Sequence, residues 1–374
     1  MKILIDGRLY GMENAGLGRY LINLVNELSK VDAKNNYILL LRKKYFDNLN
    51  LPVNWKKVLA DFRHYSLMEQ IKLPDLIGKE NPDIVHFPHF NVPVFYSGKY
   101  IVTIHDMLMH KSVGSEATTL SPPLYFFKRL GYRLVFDNAV KRSRAIIVPS
   151  QSVKEELTKS YKIPENKVFV TYEGVEVKIA APMRETVKKP YFVYAGNAYP
   201  HKNLKRLIKA VVLLNKNCNQ SVILAIASSR GIFTRRLEKI LRAQKAGEYV
   251  KLLGFLPDEE LFALYGNSIG FVFPSLSEGF GLPGLEAMAS GTLVLASDIA
   301  VFKEIYKDHA FYFNPLDVSS IEKTMENVLG VGGTLRTEEI ERAKNFVKRY
   351  SWAKMAKETL KIYEESCNSI RSGK

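Results

Sequence analysis

The segment "YFVYAGNAYPHKNLKRLIKAVVLL" (191–214) is the most informative stretch for the architecture of the chain. Its first residues are aromatic or aliphatic up to Gly196, a pattern typical of a short buried strand. "NAYPHKN" then predicts a loop, and the apolar residues of "LKRLIKAVVLL" recur at helical spacing. Strand, loop and helix in this order predict the opening of a doubly wound parallel sheet.

The same order opens the chain. "KILID" (2–6) predicts a buried strand, "GMENAGLGRY" a loop and "RYLINLVNELSKV" a helix. Further apolar runs that end in polar turns follow at 37–41, 83–87, 100–106 and 145–150, and again at 221–227, 249–255, 270–275, 292–297 and 310–313. "EVKIAAPMRETVKKP" (176–190) interrupts the pattern and predicts a linker. The sequence therefore predicts an α/β protein with two Rossmann-like doubly wound parallel-sheet domains.

Composition indicates a soluble globular protein, with 47% hydrophobic and 25% charged residues in a chain of 374. The net charge is +16, and the excess is even: 26 Lys and Arg against 18 Asp and Glu in residues 1–182, and 28 against 20 in the remainder. Nucleic acid, an anionic membrane and anionic substrates all fit such a charge, and a general solubility charge is favoured for most of the surface. Two cysteines, no signal-peptide pattern and no membrane-length apolar run predict a cytoplasmic protein.

Ligands on doubly wound sheets bind beyond the carboxyl ends of the strands, so the chemistry is expected in the loops there. "SLSEGFGLPGLEAMASG" (275–291) is one such loop, running into a helix. The N–H groups of Phe280, Gly281 and Leu282 at the helix start favour an anion, phosphate in particular. Glycine at 281 and at Gly279 permits close approach of the backbone.

Two carboxylates flank this phosphate site, Glu278 in the loop and Glu286 in the predicted first helical turn. A carboxylate repels phosphate but accepts hydrogen bonds from sugar hydroxyls. Two acids around one anion site therefore predict a nucleotide sugar, with a sugar at each end of its pyrophosphate. The structural alternative is that Glu286 complements the helix dipole and that Glu278 is a solvated loop residue.

Three more loops carry candidate residues. Lys202 in "GNAYPHKN" is predicted to neutralise the charge of a diphosphate. Considered alone, it would be interpreted as an ordinary surface lysine. Gly16 and Gly18 in "AGLGRY" let the backbone approach a phosphate or sugar, a weak signal without a full dinucleotide fingerprint. His105 in "VTIHDM" suits contact with a sugar hydroxyl or with developing charge, and a structural role is an equal alternative.

The loop "VHFPHFNVP" supplies His86, His89 and Asn91, which are predicted as contacts to the acceptor. A metal site here would need a third ligand that the motif does not supply. The sequence contains no D-x-D, the carboxylate cluster that holds a diphosphate through Mg²⁺ or Mn²⁺. A lysine and a helix start can replace that metal, so the site is predicted to need no metal and no cofactor.

These motifs, with "VPSQSVKEEL", "LGFLPDEEL" and "TLVLASDIAVFKEI", resemble the GT-B retaining glycosyltransferases of family 4 over nearly the whole length. The most specific element is the pair of glutamates eight residues apart in "SEGFGLPGLEAMASG". "DGR", "GLGRY", "HFPHFNVP" and "KN" also resemble a bacterial mannosyltransferase-like subgroup. The resemblance implies an acceptor-binding domain at 1–182, a donor-binding domain at 183–348, a cleft that both face, and a helix at 349–374 that packs back on the first domain.

The resemblance also implies a role for each candidate. Glu286 would bind the ribose of the donor, Glu278 would orient the transferred sugar, and Lys202 would neutralise the diphosphate. The remaining donor contacts would be the N–H groups of Gly281 and Leu282, Gly16 from the other domain, His105 near the reacting carbon, and Gly254 and Phe255 at the nucleobase. Retention in such enzymes is usually explained by front-face attack, so no protein nucleophile is expected.

Two positions depart from the family pattern. Asn197 stands where many members have an arginine, so the diphosphate is expected to depend on Lys202 alone or to borrow Arg230 from "IASSRG". Glu173 in "YEGV" replaces the asparagine that usually precedes the linker. These changes affect the expected set of cations and not the class of enzyme.

Residues 121–144 mix aromatic and basic side chains. Their predicted apolar stripe contains Leu124, Phe127, Leu130, Leu134 and Ala139. The segment fits peripheral contact with an anionic membrane or an acceptor, and it fits equally an ordinary helix packed on its sheet. The same mix also suits nucleic acid, but no nucleic-acid motif is present.

The sequence thus predicts a retaining, metal-independent transferase that moves mannose or another hexose from a nucleotide sugar, GDP-mannose among the candidates. The expected acceptor is a glycan or a lipid-linked sugar of the cell envelope, at the inner face of the plasma membrane. A sugar-nucleotide epimerase or a phosphorylase on the same architecture is the first alternative. A basic nucleic-acid-binding or membrane-binding protein is the second.

Overall fold

The chain forms two compact units. The computed structural model describes residues 1–111, 122–176, 187, 190–218, 220–228 and 232–368. The first unit combines Met1–Met107, Thr118–Gly174 and Ser351–Lys374, and the second combines Leu108–Ala117 and Val175–Tyr350. The domain boundaries at 182 and 348 stay predictions, and the nearest unit boundaries lie after Gly174 and Tyr350.

The first unit is built on a seven-stranded parallel sheet with the order β3-β2-β1-β4-β5-β6-β7. Its strands are β1 (Lys2–Asp6), β2 (Asn36–Leu41), β3 (Trp55–Leu59), β4 (Ile84–Phe87), β5 (Tyr100–Thr103), β6 (Ala145–Val148) and β7 (Val168–Val170). Its helices are α1 (Ala15–Val31), α2 (Lys43–Phe46), α3 (Leu67–Glu80), α5 (Pro122–Arg142), α6 (Gln151–Tyr161) and α14 (Trp352–Asn368).

The second unit is built on a six-stranded parallel sheet with the order β10-β9-β8-β11-β12-β13. Its strands are β8 (Tyr191–Ala195), β9 (Ile223–Ala227), β10 (Val250–Gly254), β11 (Gly270–Phe273), β12 (Val294–Ser297) and β13 (Ala310–Phe313). Its helices are α4 (Leu108–Lys111), α7 (Leu204–Asn217), α8 (Ile232–Ala243), α9 (Asp258–Gly266), α10 (Leu282–Ala289), α11 (Ala300–Tyr306), α12 (Val318–Gly330) and α13 (Gly333–Val347).

The central strands are buried along nearly their whole length, as expected for a parallel sheet with helices on both faces. Two strands of the first sheet were not predicted. β3, "WKKVL", carries two lysines because it lies at one edge of the sheet, and β7 at the other edge has three residues. The predicted α/β class with two Rossmann-like sheets is confirmed.

The last helix belongs to the first unit. α14 packs along α1, and the Tyr363 hydroxyl lies 2.6 Å from Nδ1 of His86 in β4. The predicted return of the C-terminal helix to the N-terminal fold is therefore confirmed. No helix in the described part of the chain has the length and apolar character to cross a membrane.

Each sheet has one place where the chain reverses its direction of growth, between β1 and β4 in the first and between β8 and β11 in the second. The helices after the two strands at such a point lie on opposite faces of the sheet. A crevice therefore opens outside the carboxyl ends of those strands, and ligands of doubly wound folds bind there. Both reversal points are occupied by the motifs that the sequence singles out.

Candidate functional site

The loops after β8 and β11 bring Lys202 and Glu278 together in the second unit. Lys202 ends a short 3-10 turn (Pro200–Lys202), and its Nζ donates to Oε1 of Glu278 at 2.5 Å. The two side chains are 14% and 12% exposed, so the pair borders solvent without being freely solvated. A lysine and a carboxylate that are 76 positions apart in sequence therefore meet at the reversal point of the sheet.

Asn203 fixes the position of Lys202. Its backbone is in the left-handed region (φ 59°), which asparagine tolerates better than most residues. The buried Nδ2 donates to the carbonyls of Pro274, at 3.0 Å, and Pro315, at 2.7 Å. The N–H of Leu276 donates to the carbonyl of His201 at 2.8 Å. Sequence analysis missed this role of Asn203, although the asparagine directly after the loop lysine was its signal.

The Lys202 ammonium is paired with the Glu278 carboxylate, and the neighbouring His201 adds no second positive charge to this loop. Burial, with a smaller contribution from the charge of Lys202, lowers the pKa of His201 to about 4. His201 is therefore neutral near pH 7. The Nζ atom of Lys202 also lies 5.6 Å from the ring centroid of Phe273 at the end of β11. Aromatic rings attract cations in this geometry, which helps to hold the ammonium in place.

The glycines at the start of α10 are explained by Tyr306. Its hydroxyl donates to the carbonyl of Gly281 at 2.5 Å. A Cβ atom on Gly281 would lie 2.4 Å from this hydroxyl oxygen, and one on Gly284 would lie 2.3 Å from it. Gly281 is also left-handed, with φ 104°, and immediately precedes Leu282, the first residue of the helix. Tyr306 therefore requires glycine at both positions, whatever ligand is bound.

Glu286 lies deeper in α10 than the sequence predicted. It is the fifth residue of the helix and not part of the first turn, and its side chain is buried. The helix dipole acts on charges mainly within the first turn, so it does not explain this carboxylate. Helix packing places Glu286 in the interior of the unit, one turn behind the residues that begin the helix.

The other predicted donor contacts occupy strand exits of the same sheet. Asn197 follows β8, and its Oδ1 accepts from the N–H of Tyr199 at 3.4 Å. Gly254, with φ 77°, ends β10, and the ring of Phe255 beyond it is 68% exposed. Phe280 is buried beside Tyr350, at 5.7 Å between ring centroids. Gly279, another predicted contact, lies in the loop before α10. Arg230, also predicted, lies outside the described residues.

In the first unit, His105 lies in the loop after β5. Nδ1 is 3.2 Å from Oε1 of Glu173, and Nε2 is 3.1 Å from the carbonyl oxygen of Pro88. Both partners accept hydrogen bonds, so the imidazolium form satisfies both and a neutral ring satisfies one. The Tyr20 ring packs edge-on at 4.7 Å and fixes the orientation of the imidazole. Sequence analysis noted Glu173 as a departure and missed that it orients His105.

Of the three predicted acceptor contacts, His86 is corrected by the structure. It lies in β4 and not in the following loop, its side chain is buried, and its Nε2 is 2.7 Å from Oγ1 of Thr103. Burial, followed by the charge of His105, lowers its pKa to about 3. With its other nitrogen at Tyr363, His86 has a structural role in the described fold. His89, partly buried, and Asn91, buried, do lie in the loop after β4.

Gly16 and Gly18 lie in the first turn of α1 and not in the preceding loop. A Cβ atom on Gly18 would lie 1.8 Å from the carbonyl oxygen of Gly11, so packing requires that glycine. A Cβ atom on Gly16 would have no neighbour within 4 Å. Of the two, only Gly16 therefore remains available to a ligand.

The apolar stripe predicted in α5 is exposed over its first half. Leu124, Phe127, Leu130 and Leu134 face solvent together with Phe126, whereas Tyr132, Phe136, Ala139 and Val140 are buried. Ala139 is therefore on the opposite face from the other four predicted members. The alternative of an ordinary helix packed on its sheet holds for the face with Tyr132, Phe136, Ala139 and Val140. It does not hold for the exposed side chains of Leu124, Phe127, Leu130 and Leu134. Across the described residues, no group of three His, Cys, Asp or Glu is arranged to hold a metal ion.

Two family profiles match adjoining parts of the chain. "Glycosyltransferase Family 4" matches residues 15–179, and "Glycosyl transferases group 1" matches residues 178–362. O-antigen chain mannosyltransferase RfbU of Salmonella typhimurium is 27% identical over 356 residues, covering 92% of this chain and 94% of the relative. Serotype-specific mannosyltransferase WbdA of Escherichia coli is 30% identical over 373 residues, covering 88% of this chain and 44% of the relative.

Solved structures share the fold. Sucrose-phosphate synthase from Thermosynechococcus elongatus superposes with a TM-score of 0.76 at 18% identity, covering 97% of this chain and 98% of the other. WaaG, a glycosyltransferase involved in lipopolysaccharide biosynthesis, superposes with a TM-score of 0.71 at 11% identity, covering 100% of both chains. At these identities the superpositions establish the two-domain GT-B fold.

Proposed function

The chain belongs to the glycosyltransferases that the group 1 and family 4 profiles describe, and we propose that it transfers mannose or another hexose from a nucleotide sugar. The proposed reaction retains the anomeric configuration and needs no metal ion. The observation that carries the proposal is the Lys202–Glu278 pair beside the start of α10, at the reversal point of the second sheet.

This pair supplies two groups that a sugar diphosphate needs. The Lys202 ammonium and the N–H groups at the start of α10 favour the diphosphate. The Glu278 carboxylate accepts hydrogen bonds from hydroxyls of the transferred sugar. Without the donor the two side chains satisfy each other, and donor binding exchanges their mutual contact for separate contacts to phosphate and sugar.

The other end of the donor is proposed to reach Glu286 in α10 and the residues at the carboxyl end of β10. Glu286 would accept hydrogen bonds from the ribose hydroxyls, and the exposed ring of Phe255 would face the nucleobase. The family resemblance supports both assignments. The Asn197 amide is uncharged, so Lys202 is proposed as the main cation for the diphosphate.

Metal independence is proposed because the protein provides its own counter-charge for the leaving group. Lys202 supplies a full positive charge and the helix start a partial one, and both stabilise the diphosphate as it departs. Retention is proposed on the family resemblance, with front-face attack and no protein nucleophile. His105, held by Glu173 and Pro88, is proposed on the same resemblance to contact the donor sugar near the reacting carbon.

The acceptor is proposed to be a glycan or lipid-linked sugar of the cell envelope. The relatives named O-antigen chain mannosyltransferase and serotype-specific mannosyltransferase support this class and support mannose as the first candidate sugar. The exposed apolar side chains of α5 alternate with Lys128 and Arg133, a composition that favours anionic lipid surfaces. We therefore place the enzyme in the cytoplasm, at the inner face of the plasma membrane.

A panel of nucleotide sugars in a thermal-shift assay, followed by turnover of the best ligand in EDTA, tests the proposal. The expected result is stabilisation by one nucleotide sugar and transfer that survives EDTA. Near-total loss of transfer is expected for Lys202→Ala and Glu278→Ala. Full activity in both variants would contradict the site, and loss of transfer in EDTA would contradict metal independence.

A further inference from the structure

A second charged cluster lies at the reversal point of the first sheet, between β1 and β4. Arg8 follows β1, and its guanidinium is buried. Its Nε and Nη2 donate to the two carboxylate oxygens of Asp6 at 2.7 and 2.6 Å, and Nη2 also donates to Oε1 of Glu69 at 2.7 Å. All three side chains are enclosed, so the cluster holds the fold together and does not itself offer a charge to solvent.

The Glu69 carboxylate joins three strand-exit loops. Oε1 accepts a hydrogen bond from Arg8, in the loop after β1. It also lies 3.1 Å from Nδ1 of His64, in the loop after β3. Oε2 accepts hydrogen bonds from the backbone N–H of Tyr65 and from Nδ2 of Asn91, each at 2.7 Å. The last of these comes from the loop after β4. One buried carboxylate therefore sets the relative positions of the loops at the carboxyl edge.

The consequence of this arrangement is the conformation of Tyr65. Its backbone is left-handed, with φ 60°, a region that bulky residues rarely adopt, and the Glu69 contact holds it there. The Tyr65 ring is nevertheless 64% exposed and contributes little to the core. Strain that a buried network maintains for the sake of an exposed ring indicates a functional constraint rather than a packing one.

Tyr65 is surrounded by a small cluster of polar and aromatic side chains. The His89 ring lies edge-on at 6.1 Å and the Phe90 ring at 6.4 Å, between centroids. Nδ1 of His89 accepts from the N–H of Asn91 at 3.3 Å, so a neutral His89 carries its proton on Nε2. That nitrogen lies 3.5 Å from the Tyr65 hydroxyl oxygen. The hydroxyl hydrogen of Tyr65 is then free to point toward a ligand.

The cluster adjoins His105. Nε2 of His105 contacts the carbonyl oxygen of Pro88, which is the residue before His89 in the same loop. Burial, followed by the charges of Glu69 and of Asp106, the neighbour of His105, raises the pKa of the Tyr65 hydroxyl. The exposed ring therefore lies beside the part of the first unit that is proposed to act on the transferred sugar.

We propose that Tyr65 is a stacking platform for a pyranose ring of the acceptor, with Glu69 and Arg8 as its positioning residues. A pyranose has an apolar C–H face that packs on an aromatic ring and a rim of hydroxyls that needs donors and acceptors. Tyr65 offers the ring, and the Tyr65 hydroxyl and His89 offer the polar contacts. The proposal rests on the proposed glycosyltransferase function for the identity of the ligand as an acceptor.

Saturation-transfer NMR of the full chain with methyl α-D-mannopyranoside, methyl α-D-glucopyranoside and methyl α-D-galactopyranoside tests the platform. Wild type is expected to transfer saturation to the C–H protons of at least one pyranoside. Tyr65→Ala should reduce that signal at least tenfold, whereas Tyr65→Phe and Tyr65→Trp should retain most of it. Phe95→Ala is the matched control, because Phe95 is an exposed aromatic residue of the same unit, at 76%, to which no role is assigned. Equal signals in wild type and Tyr65→Ala, or none in wild type, would overturn the proposal.

Tyr65→Gly separates binding from folding. Glycine adopts a left-handed backbone freely, so this variant should keep or raise the melting temperature and still lose the pyranoside signal. In transfer assays, Tyr65→Ala and Glu69→Gln should raise the acceptor KM at least tenfold with a smaller effect on kcat, while stabilisation by nucleotide sugar is unchanged. Unchanged acceptor KM would overturn the platform. A wild-type protein that binds pyranosides and no nucleotide sugar would instead overturn the proposed function.

Discussion

The two reversal points of this protein use similar residues in opposite ways. In the first unit Asp6, Arg8 and Glu69 form a buried network whose carboxylates are satisfied within the protein. In the second unit Lys202 and Glu278 form a single pair that borders solvent. The same sheet topology therefore supports a buried network that fixes loops in one unit and, in the proposed function, a pair whose contact is exchanged for a ligand in the other.

The largest effect that this comparison predicts is on activity in the second unit. Lys202→Ala should lower turnover by roughly 10²–10³-fold, because a preorganised charge at the leaving group is lost. The free energy of unfolding should fall by about 1–3 kcal/mol, since the loss of Lys202 leaves the mostly buried Glu278 carboxylate without its partner. Lys205→Ala, on the adjacent α7, is the control and should leave turnover unchanged. If Lys202→Ala kept turnover within twofold of wild type, the functional role assigned to the Lys202–Glu278 pair would be contradicted.

Glu69→Ala should show the reverse pattern, with its main effect on stability. Arg8 would be left buried without half of its counter-charge, a change that costs about 3–5 kcal/mol. Denaturant titration followed by tryptophan fluorescence measures this in the correct unit, because Trp55 and Trp352 are the two tryptophans and both lie in the first unit. The control is Glu80→Ala in the same helix, which removes the contact to Lys56 and should cost at most about 1 kcal/mol. Equal losses in the two variants would contradict the role of the network.

Acid should destabilise the first unit for two reasons of the same sign. Burial would raise the pKa of Glu69, but the contacts with His64 and Arg8 lower it overall below 4.5, so its contribution is present above pH 4.5 and is lost below it. Burial lowers the pKa of His86 from 6.5 to about 3, so the unfolded chain takes up a proton below pH 6.5 that the fold excludes. Tryptophan-detected stability should therefore begin to fall near pH 6.5. His86→Gln should flatten the decline between pH 6.5 and 4.5, and an unchanged slope would refute this explanation.

The smallest predicted effects, on stability and on the KM of the donor, distinguish Gly16 from Gly18 in the first turn of α1. Gly18→Ala should cost about 1–3 kcal/mol, because the new methyl group meets the Gly11 carbonyl. Gly16→Ala meets no atom and should leave stability unchanged or raise it by up to about 1 kcal/mol, since alanine favours the helix. If Gly16 lies at the donor, its variant should still raise the KM for the nucleotide sugar. Thermal unfolding and initial rates of both variants measure the contrast.

Local patterns were sufficient to predict most of the fold and part of the site. "KILID" and "YFVYA" are buried parallel strands because continuous apolar runs of this length can be covered only by helices on both faces. Lys202 and Glu278 were assigned to one site from the loops that carry them, and β8 and β11 are neighbours in the sheet. By contrast, β3 was not predicted, because its two lysines interrupt the apolar run that identifies a buried strand. An edge strand tolerates such charges.

The residues that sequence analysis missed depend on contacts between distant positions. Glu173 reaches His105 across 68 positions, Glu69 reaches Arg8 across 61, and Tyr363 reaches His86 across 277. The spacing of residues within one helix or strand cannot predict contacts between such distant positions. Periodicity in α5 likewise predicted an apolar face correctly for four of its members, but it carries no information about what covers that face.

The central claim is that Glu278 faces the transferred sugar, Glu286 faces the ribose, and Lys202 faces the diphosphate between them. Calorimetric titration of GDP and GDP-mannose in EDTA, or of the nucleotide pair that the thermal-shift panel selects, tests it most directly. We expect Lys202→Ala and Glu286→Gln to weaken both ligands at least tenfold. Glu278→Gln should weaken the nucleotide sugar alone and leave the nucleoside diphosphate bound at least as tightly as in wild type, because Lys202 loses a competing carboxylate. Equal weakening of both ligands by Glu278→Gln, or of neither, would contradict the account.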